Sequence, residues 1–285
     1  MQVVFWGVRG SYPVARADCL RYGGNTPCIE LEAGGQCVLV DAGTGIRAAG
    51  QALVERGVED IHLLLSHTHW DHIQGLPHFA PLYRDNTRLR IYGLKRGDCS
   101  LEEVFRAQQQ QPFYPVPLDS VPAQVEFVEL TDGQSWCIGD VDIECRRLNH
   151  PGVAGGYRVV HQGTAFAYIC DTDLVTDDLL GDEMPDSREY RQRLRDNVRD
   201  LAHRGDLIVC DTFFLPQEYR ADFGHSSAED ALRLGREVEA RCVTFFHHAP
   251  QRSDGEMDQL VADFRALGQE GPEMLAAAEG VQLAL

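Results

Sequence analysis

The segment SHTHWDHIQG, residues 66–75, places four potential metal ligands within six positions, namely His67, His69, Asp71 and His72. Neutral imidazole and carboxylate groups are good ligands for zinc and similar ions. The segment directly follows the apolar run IHLLL, which argues against a merely solvated loop. One tetrahedral ion needs fewer ligands than this from a single segment. The pattern therefore predicts two adjacent ions, each completed by residues from elsewhere in the chain.

The spacing within this segment also suggests how it presents its ligands. Alternate side chains of a strand share one face, so His67, His69 and Asp71 would point the same way if the strand continued through them. A tight loop leaving the strand would then present His72. We therefore expect all four side chains at the end of a strand.

Further potential metal ligands follow other apolar runs. Catalytic groups commonly lie on loops that a rigid sheet holds in place. Each of these residues alone is consistent with an ordinary turn, but together with the first segment they form a coherent set. They are Asp41 after CVLV, His150 before a Pro-Gly turn, Asp171 after AYIC, and His247 and His248 after VTFF.

The composition excludes several classes of protein. The 285 residues carry a formal net charge of −18 and no dense run of Lys and Arg, which argues against a binder of duplex nucleic acid. A small anionic substrate is compatible with this charge, because bound metal supplies local positive charge.

We find no signal peptide and no apolar run of about 20 residues, so we expect no membrane contact. The nine cysteines include no CxxC pair and indicate reduced thiols in a cytoplasmic protein.

Short apolar runs alternate with amphipathic stretches along the whole chain, which predicts two sheets covered by helices. No segment resembles a linker, so we expect a single domain, residues 1–285. The four glutamines at 108–111 predict an exposed loop. A hairpin is expected to turn at Gln162–Gly163. The strands are predicted in VVFWGV, CIELEA, CVLVDAG, IHLLLSH, LRIYG, VEFVEL, VDIECRRL, GGYRVVH, TAFAYICD, DLIVCDTFF, CVTFFHH and VQLAL. The helices are predicted in IRAAGQALVERG, SLEEVFRAQQQQ, SREYRQRLRDNVRDLAHRG, SAEDALRLGREVEA and MDQLVADFRAL.

The HxHxDH run and the later donors, taken in order, resemble the motifs of the metallo-β-lactamase superfamily over nearly the whole chain. The resemblance implies an α/β fold, a four-layer αββα sandwich with metals at the edge between the sheets. It further implies a ligand set for two divalent ions, with Asp41 orienting a ligand. In that set His67, His69 and His150 bind one ion, Asp71, His72 and a C-terminal histidine bind the other, and Asp171 bridges both.

Two histidines compete for the C-terminal position. Counting from the strand VTFF favours His247, with Pro250 at the expected turn. Counting back from Arg252 favours His248. We take His247 as the expected ligand.

Two further stretches resemble the ribonuclease Z-like, phosphodiesterase branch of the superfamily. They are the N-terminal FWGVRGSYPV with RYGGNTPCIEL, and GHSSAEDAL at residues 224–232. By this resemblance His225 acts at the phosphate as an acid or charge stabiliser, Asp211 orients it, and Asp71 completes the catalytic set. The same serines can also cap a helix whose N-terminus favours an anion.

The resemblance implies hydrolysis of a phosphodiester by a hydroxide that bridges two metal ions. Zinc suits ligands of His and Asp without Cys, and manganese and iron are alternatives. Bacterial ribonuclease Z carries a protruding tRNA-gripping arm between the segments of His150 and Asp171, which here are only 21 positions apart. We therefore expect a small substrate such as a cyclic nucleotide. The alternatives are a nuclease acting on RNA or tRNA 3′ ends, a hydrolase of esters, lactones or thioesters, and a binding protein without turnover. The branch also implies a homodimer.

Overall fold

The structure is a computed structural model and describes residues 1–175, 188–221, 223–266 and 271–285. Within these ranges the chain forms fourteen strands and six α-helices. The strands are β1 (Gln2–Gly7), β2 (Cys28–Ala33), β3 (Gln36–Val40), β4 (Asp60–Leu64), β5 (Arg88–Leu94), β6 (Gln124–Leu130), β7 (Gln134–Ile138), β8 (Val141–Arg147), β9 (Gly155–His161), β10 (Thr164–Ile169), β11 (Leu207–Asp211), β12 (Cys242–Phe246), β13 (Glu273–Ala276) and β14 (Gln282–Ala284). The helices are α1 (Ile46–Glu55), α2 (Trp70–Ile73), α3 (Leu101–Gln108), α4 (Arg188–Ala202), α5 (Ala228–Glu237) and α6 (Asp254–Ala266).

The strands form two seven-stranded sheets, ordered β14-β1-β2-β3-β4-β5-β6 and β13-β12-β11-β10-β9-β8-β7. Strands β3 to β6 are parallel in the first sheet, and β10 to β13 are parallel in the second. Parallel strands end at the same edge of a sheet, where open α/β sheets bind their ligands. The loops after β3 and β4 therefore meet, as do the loops after β10, β11 and β12.

Alternation of side chains along the central strands produces the four layers. In β3, Val38 and Val40 belong to the core between the two sheets, whereas Cys37 and Leu39 belong to a second core with α1 and α3. Strand β10 likewise divides its residues between the inter-sheet core and a core with α4, α5 and α6. Both faces of the central strands are thus buried, as their continuous apolar sequences indicate. The predicted αββα sandwich is confirmed.

The predicted hairpin at Gln162–Gly163 is also confirmed. Strands β9 and β10 pair antiparallel, and the two turn residues have φ values of 51° and 83°. Positive φ at both central residues is the requirement of a two-residue type I′ turn, whose twist matches that of the flanking strands. Two edge strands, β7 and β13, have no counterpart in the sequence prediction, because each is short and half exposed.

Two expectations about local structure are wrong. Strand β4 ends at Leu64, and Asp71 lies in the short helix α2, so the ligands do not follow strand alternation. The reason is a bend in the backbone after β4, where the Asp41 carboxylate accepts the Ser66 backbone N–H at 2.7 Å. The glutamine run is also not wholly an exposed loop. Gln108 ends α3 and donates to the Ile73 carbonyl at 2.8 Å, so its side chain is buried.

All nine cysteines are unpaired, and most of them are buried. None of the helices in the described ranges has the length and apolar character that a membrane span requires.

Candidate metal centre

The predicted ligands converge where strands of both sheets end. The segment after β4 and the residue after β3 come from the first sheet, and the ends of β8, β10, β11 and β12 come from the second. The rigid parallel strands hold these loops side by side, although their residues are far apart in sequence. The structure brings together His67, His69, Asp71, His72, His150, Asp171, Asp211, His225 and His247.

The first group of potential ligands consists of His67, His69, His150 and Asp171, whose ligand atoms all lie within 4.8 Å of one another. Asp171 Oδ2 is 3.6 Å from His67 Nε2 and 3.8 Å from His150 Nε2. His69 Nδ1 is 3.2 Å from His150 Nε2. Atoms about 2.0–2.2 Å from one tetrahedral ion lie roughly 3.4 Å from each other, so this group fits a single ion.

The second group consists of Asp71, His72, Asp171 and His247, again with all ligand atoms within 4.8 Å. Here Asp171 presents its other oxygen: Oδ1 is 3.3 Å from His72 Nε2 and 3.2 Å from His247 Nε2. Asp71 Oδ2 lies 3.4 Å from His72 Nε2 and 3.2 Å from His247 Nε2. Because each Asp171 oxygen faces one group, this carboxylate can bridge two ions.

The hydrogen bonds of the imidazoles fit bound metal. His150 Nδ1 lies 2.8 Å from the Gly224 carbonyl, which can only accept, so Nδ1 carries the proton and the Nε2 lone pair faces the group. His72 Nδ1 donates in the same way to Asp41 Oδ2 at 2.7 Å. The Nε2 atoms of His67 and His72 are buried, and neither has a hydrogen-bond partner among the described residues. Orphaned buried acceptors of this kind call for a ligand.

The charges of the centre also call for cations. Burial and neighbouring imidazoles hold the pKa of His67 well below its ordinary value, which keeps it neutral as a metal ligand must be. Burial alone would raise the pKa of Asp171, but His247 and His72 hold it well below its ordinary value. Burial would lower the pKa of His72, yet Asp171, Asp71 and Asp41 raise it well above its ordinary value. The carboxylates therefore demand positive charge, which divalent ions would supply.

Asp41 orients the metal ligand His72 through a network of hydrogen bonds. Its fully buried carboxylate accepts the Ser66 backbone N–H at 2.7 Å, the Ser66 hydroxyl at 2.9 Å, His72 Nδ1 at 2.7 Å and the Tyr168 hydroxyl at 2.7 Å. Such outer partners fix the orientation of a ligating imidazole and increase its basicity. The sequence analysis missed Ser66 and Tyr168. Ser66 adjoins the ligand segment, which was a usable signal, whereas Tyr168 lies inside an apolar strand that carries none.

Three residues of the centre occupy the left-handed backbone region. The φ values are 61° for Asp41, 48° for Asp171 and 57° for His247; Asp41 and His247 directly follow a strand, and Asp171 lies two residues after the end of β10. A residue with a side chain is strained there, by about 1–3 kcal/mol, and such strain concentrates at functional sites. The abrupt turn at each strand end directs these side chains toward the centre. No sequence pattern indicates this left-handed turn.

His225 and Asp211 form a buried pair beside both groups. His225 Nδ1 lies 2.6 Å from Asp211 Oδ2, and its ring centroid is 5.1 Å from that of His247 and 5.5 Å from that of His150. Burial would lower the pKa of His225, but Asp211 outweighs burial and raises it to about 9. Phe213 stacks on the ring at 4.8 Å. This pair can present a protonated imidazole next to the candidate metals.

The turn before His225 requires glycine. Gly224 has a φ of 77°, and a Cβ there would lie 2.5 Å from His150 Nδ1. Three residues after Gly224, Ser227 caps α5 by accepting the Asp230 backbone N–H. The GHSS segment therefore forms a helix cap and also delivers a histidine to the centre, so the two interpretations of this motif are compatible.

The structure distinguishes the two C-terminal histidines. His247 contributes Nε2 to the second group, whereas His248 turns away and its Nε2 bonds the Ala277 carbonyl at 2.8 Å. Burial lowers the pKa of His248 to about 3. Gly10 packs against His247, because a Cβ on Gly10 would lie 2.5 Å from His247 Nδ1. The N-terminal segment thus helps to position this histidine.

Comparisons with known proteins agree with the fold. A family model described as a beta-lactamase superfamily domain matches residues 36–248. A ribonuclease Z from Mycolicibacterium gilvum is 28% identical over 260 residues, covering 85% of this chain and 82% of that protein. The metallo-beta-lactamase fold protein YhfI from Bacillus subtilis superposes with a TM-score of 0.69 at 17% identity, covering 99% of this chain and 98% of that one. A diphosphatase from the PhnP family superposes with a TM-score of 0.68 at 16% identity, covering 100% and 97%.

Proposed function

The chain belongs to the metallo-β-lactamase superfamily, in its ribonuclease Z-like branch, and as it is a metal-dependent hydrolase of this superfamily we propose that it cleaves phosphodiester bonds in a small substrate such as a cyclic nucleotide. The observation that carries this proposal is the buried His225–Asp211 pair beside both ligand groups. Hydrolysis of a phosphodiester requires stabilisation of the charge that builds on the phosphoryl oxygens and a proton for the leaving oxygen. The pair offers the proton donor that the metal ligands alone do not.

We assign the metal ligands to two ions according to the two groups of side chains described above. Asp171 is shared between the ions, His67, His69 and His150 complete one, and Asp71, His72 and His247 complete the other. Bound there, two divalent ions lower the pKa of a water and neutralise charge that builds on the phosphoryl oxygens. Zinc suits this ligand set, and manganese and iron are alternatives.

The protein residues then position the substrate and move the proton. Asp211 holds Nδ1 of His225, so the remaining ring nitrogen, Nε2, is the one that donates a proton to the leaving oxygen. The hydrogen bond from Nδ1 to Asp211 keeps the ring of His225 oriented and stabilises its positive form. Phe213 covers one face of that ring and excludes water from it. Asp71 and Asp171 serve as ligands rather than as nucleophiles.

Two features favour a small substrate over a long RNA. The interval between His150 and Asp171 is occupied by the compact β9–β10 hairpin, which provides no arm for gripping tRNA. The formal net charge of −18 opposes the approach of a polyanion. A cyclic nucleotide needs neither an arm nor a basic groove.

A substrate panel tests the proposal. We expect hydrolysis of 2′,3′- or 3′,5′-cyclic nucleotides with added zinc or manganese, and His225→Ala should lower kcat by about 10²- to 10⁴-fold. His161→Ala is the matched control, because His161 pairs with the exposed Asp140 on the surface at 3.1 Å. Cleavage of esters, lactones or thioesters that is indifferent to His225→Ala, with no diesterase activity, would show the proposal to be wrong.

A second candidate function is ribonuclease Z-like processing of RNA or tRNA 3′ ends. The observation in its favour is the 28% identity to ribonuclease Z from Mycolicibacterium gilvum. Assaying unprocessed tRNA beside the cyclic nucleotides separates the two candidates. A higher kcat/KM for the tRNA would favour the nuclease.

A further inference from the structure

The centre opens to solvent beside an exposed indole. His69 is the exposed member of the two ligand groups, and the others are buried. Trp70 follows it directly and is 64% exposed. In a helix, successive side chains diverge by about 100°. Asp71 and His72 of the same helix are buried at the centre, whereas Trp70 lies on the exposed side of this helix, between the ligands His69 and Asp71 in sequence.

A second exposed aromatic residue is anchored to the same centre from another segment. Tyr12 is 58% exposed. The backbone N–H of the preceding residue, Ser11, donates to Asp71 Oδ2 at 2.7 Å. Ser11 has a φ of 64°, and Gly10 contacts the ring of His247. Residues 10–12 therefore lie against the second ligand group, and Tyr12 is adjacent to it.

Trp70 and Tyr12 thus flank Asp71, one on each chain segment. Single exposed apolar residues are common and need no explanation. Here two large exposed aromatic side chains each lie one residue away from a group that ligates or contacts a buried polar centre. They offer flat π-faces close to the place where the reacting group of a substrate must lie.

We propose that Trp70, together with Tyr12, stacks the nucleobase of a nucleotide substrate whose phosphodiester lies at the metal centre. This inference rests on the proposed function and specifies its substrate class. A base is separated from its phosphate by one ribose, and Trp70 is one residue away from a ligand of the centre. Stacking on aromatic side chains accepts any base, because every base has a π-face.

A comparison of two cyclic diesters tests the stacking. The substrates are 2′,3′-cyclic AMP and the base-free glycerol 1,2-cyclic phosphate, assayed with zinc- or manganese-loaded enzyme. Trp70→Ala should raise the ratio of KM for cyclic AMP to KM for the base-free diester by about 5- to 100-fold, the range that loss of one base–aromatic stack implies. Trp70→Phe should preserve most of the discrimination. Trp136→Phe is the matched control, because Trp136 packs on Tyr92 away from the opening and should leave the ratio unchanged.

A binding measurement without turnover tests the same contact between the base and Trp70. Titration of the holoenzyme with 5′-AMP should quench tryptophan emission in the wild type and in Trp136→Phe, and not in Trp70→Phe. A wild type that cleaves both diesters with a KM ratio unaffected by Trp70→Ala, and that shows no Trp70-dependent quenching, would overturn the inference and leave the proposed function standing. A wild type that cleaves neither diester would overturn the proposed function, and quenching would then decide the stacking by itself.

Discussion

Replacing Asp41 by Asn should weaken metal binding without touching a ligand. Asp41 accepts four hydrogen bonds, from the Ser66 N–H and hydroxyl, His72 Nδ1 and the Tyr168 hydroxyl. An asparagine at this position keeps one acceptor oxygen, and in the place of Oδ2 this oxygen still accepts from the Ser66 hydroxyl, His72 Nδ1 and the Tyr168 hydroxyl. The NH₂ group then faces the Ser66 N–H, so at least this bond is lost, and His72 loses the charge that fixes its ring.

The magnitude follows from the kind of bond that is lost. Hydrogen bonds to a charged group contribute about 1.5–3 kcal/mol each, so loss of this bond should lower the free energy of unfolding by about 1.5–3 kcal/mol or more. Loss of an outer partner of a ligating histidine typically lowers metal affinity 10- to 100-fold. That range corresponds to about 1.4–2.7 kcal/mol. Tyr168→Phe removes one donor and leaves the carboxylate, so its effect on metal affinity should be only a few-fold.

Metal affinity is measured on the apoprotein by competition with a chromophoric chelator, and stability by urea unfolding of the same samples. Asp140→Asn is the matched control, because Asp140 also pairs with a histidine, His161, but on the surface. If Asp41→Asn is too unstable to purify, Tyr168→Phe still tests whether the hydrogen bonds of Asp41 orient His72. Wild-type affinity for both ions in Asp41→Asn and Tyr168→Phe would refute the role of Asp41 in orienting His72.

Three further outcomes test other parts of the centre. Gly10→Ala should push His247 out of place, because its Cβ would lie 2.5 Å from His247 Nδ1, and elemental analysis should find bound metal falling from two ions per chain toward one. Gly97→Ala is its control, since a Cβ there meets nothing within 4 Å. Asp211→Asn should lower kcat by about 10- to 100-fold at unchanged metal content, because His225 loses a charged hydrogen bond; an unchanged kcat would contradict the pairing. Metal removal should lower the free energy of unfolding by about 4 kcal/mol for each bound ion relative to protein at a free metal concentration 1,000 times Kd, and a melting temperature indifferent to chelation would contradict metal binding at the centre.

The amino-acid sequence alone determined the kinds of ligand and much of the fold. Four ligands in SHTHWDH indicate metal because imidazole and carboxylate have few structural reasons to crowd after a buried strand. Strand and helix periodicities are local, so they predict the layers and the hairpin at Gln162–Gly163. The edge strands β7 and β13 escaped the prediction because half-exposed short strands carry little periodic signal.

The tertiary structure decided how the ligands are shared. His247 and His248 are chemically identical neighbours, and only the left-handed backbone after β12 directs the first toward Asp71 and the second toward the Ala277 carbonyl. Tyr168 reaches Asp41 across 127 positions of sequence because two sheets pack face to face. A sequence records which groups exist, but contacts between distant strand ends depend on how those strands are paired and turned. For that reason the composition of the centre was predictable, whereas its geometry, its supporting hydrogen bonds and the exposure of His69 and Trp70 were not.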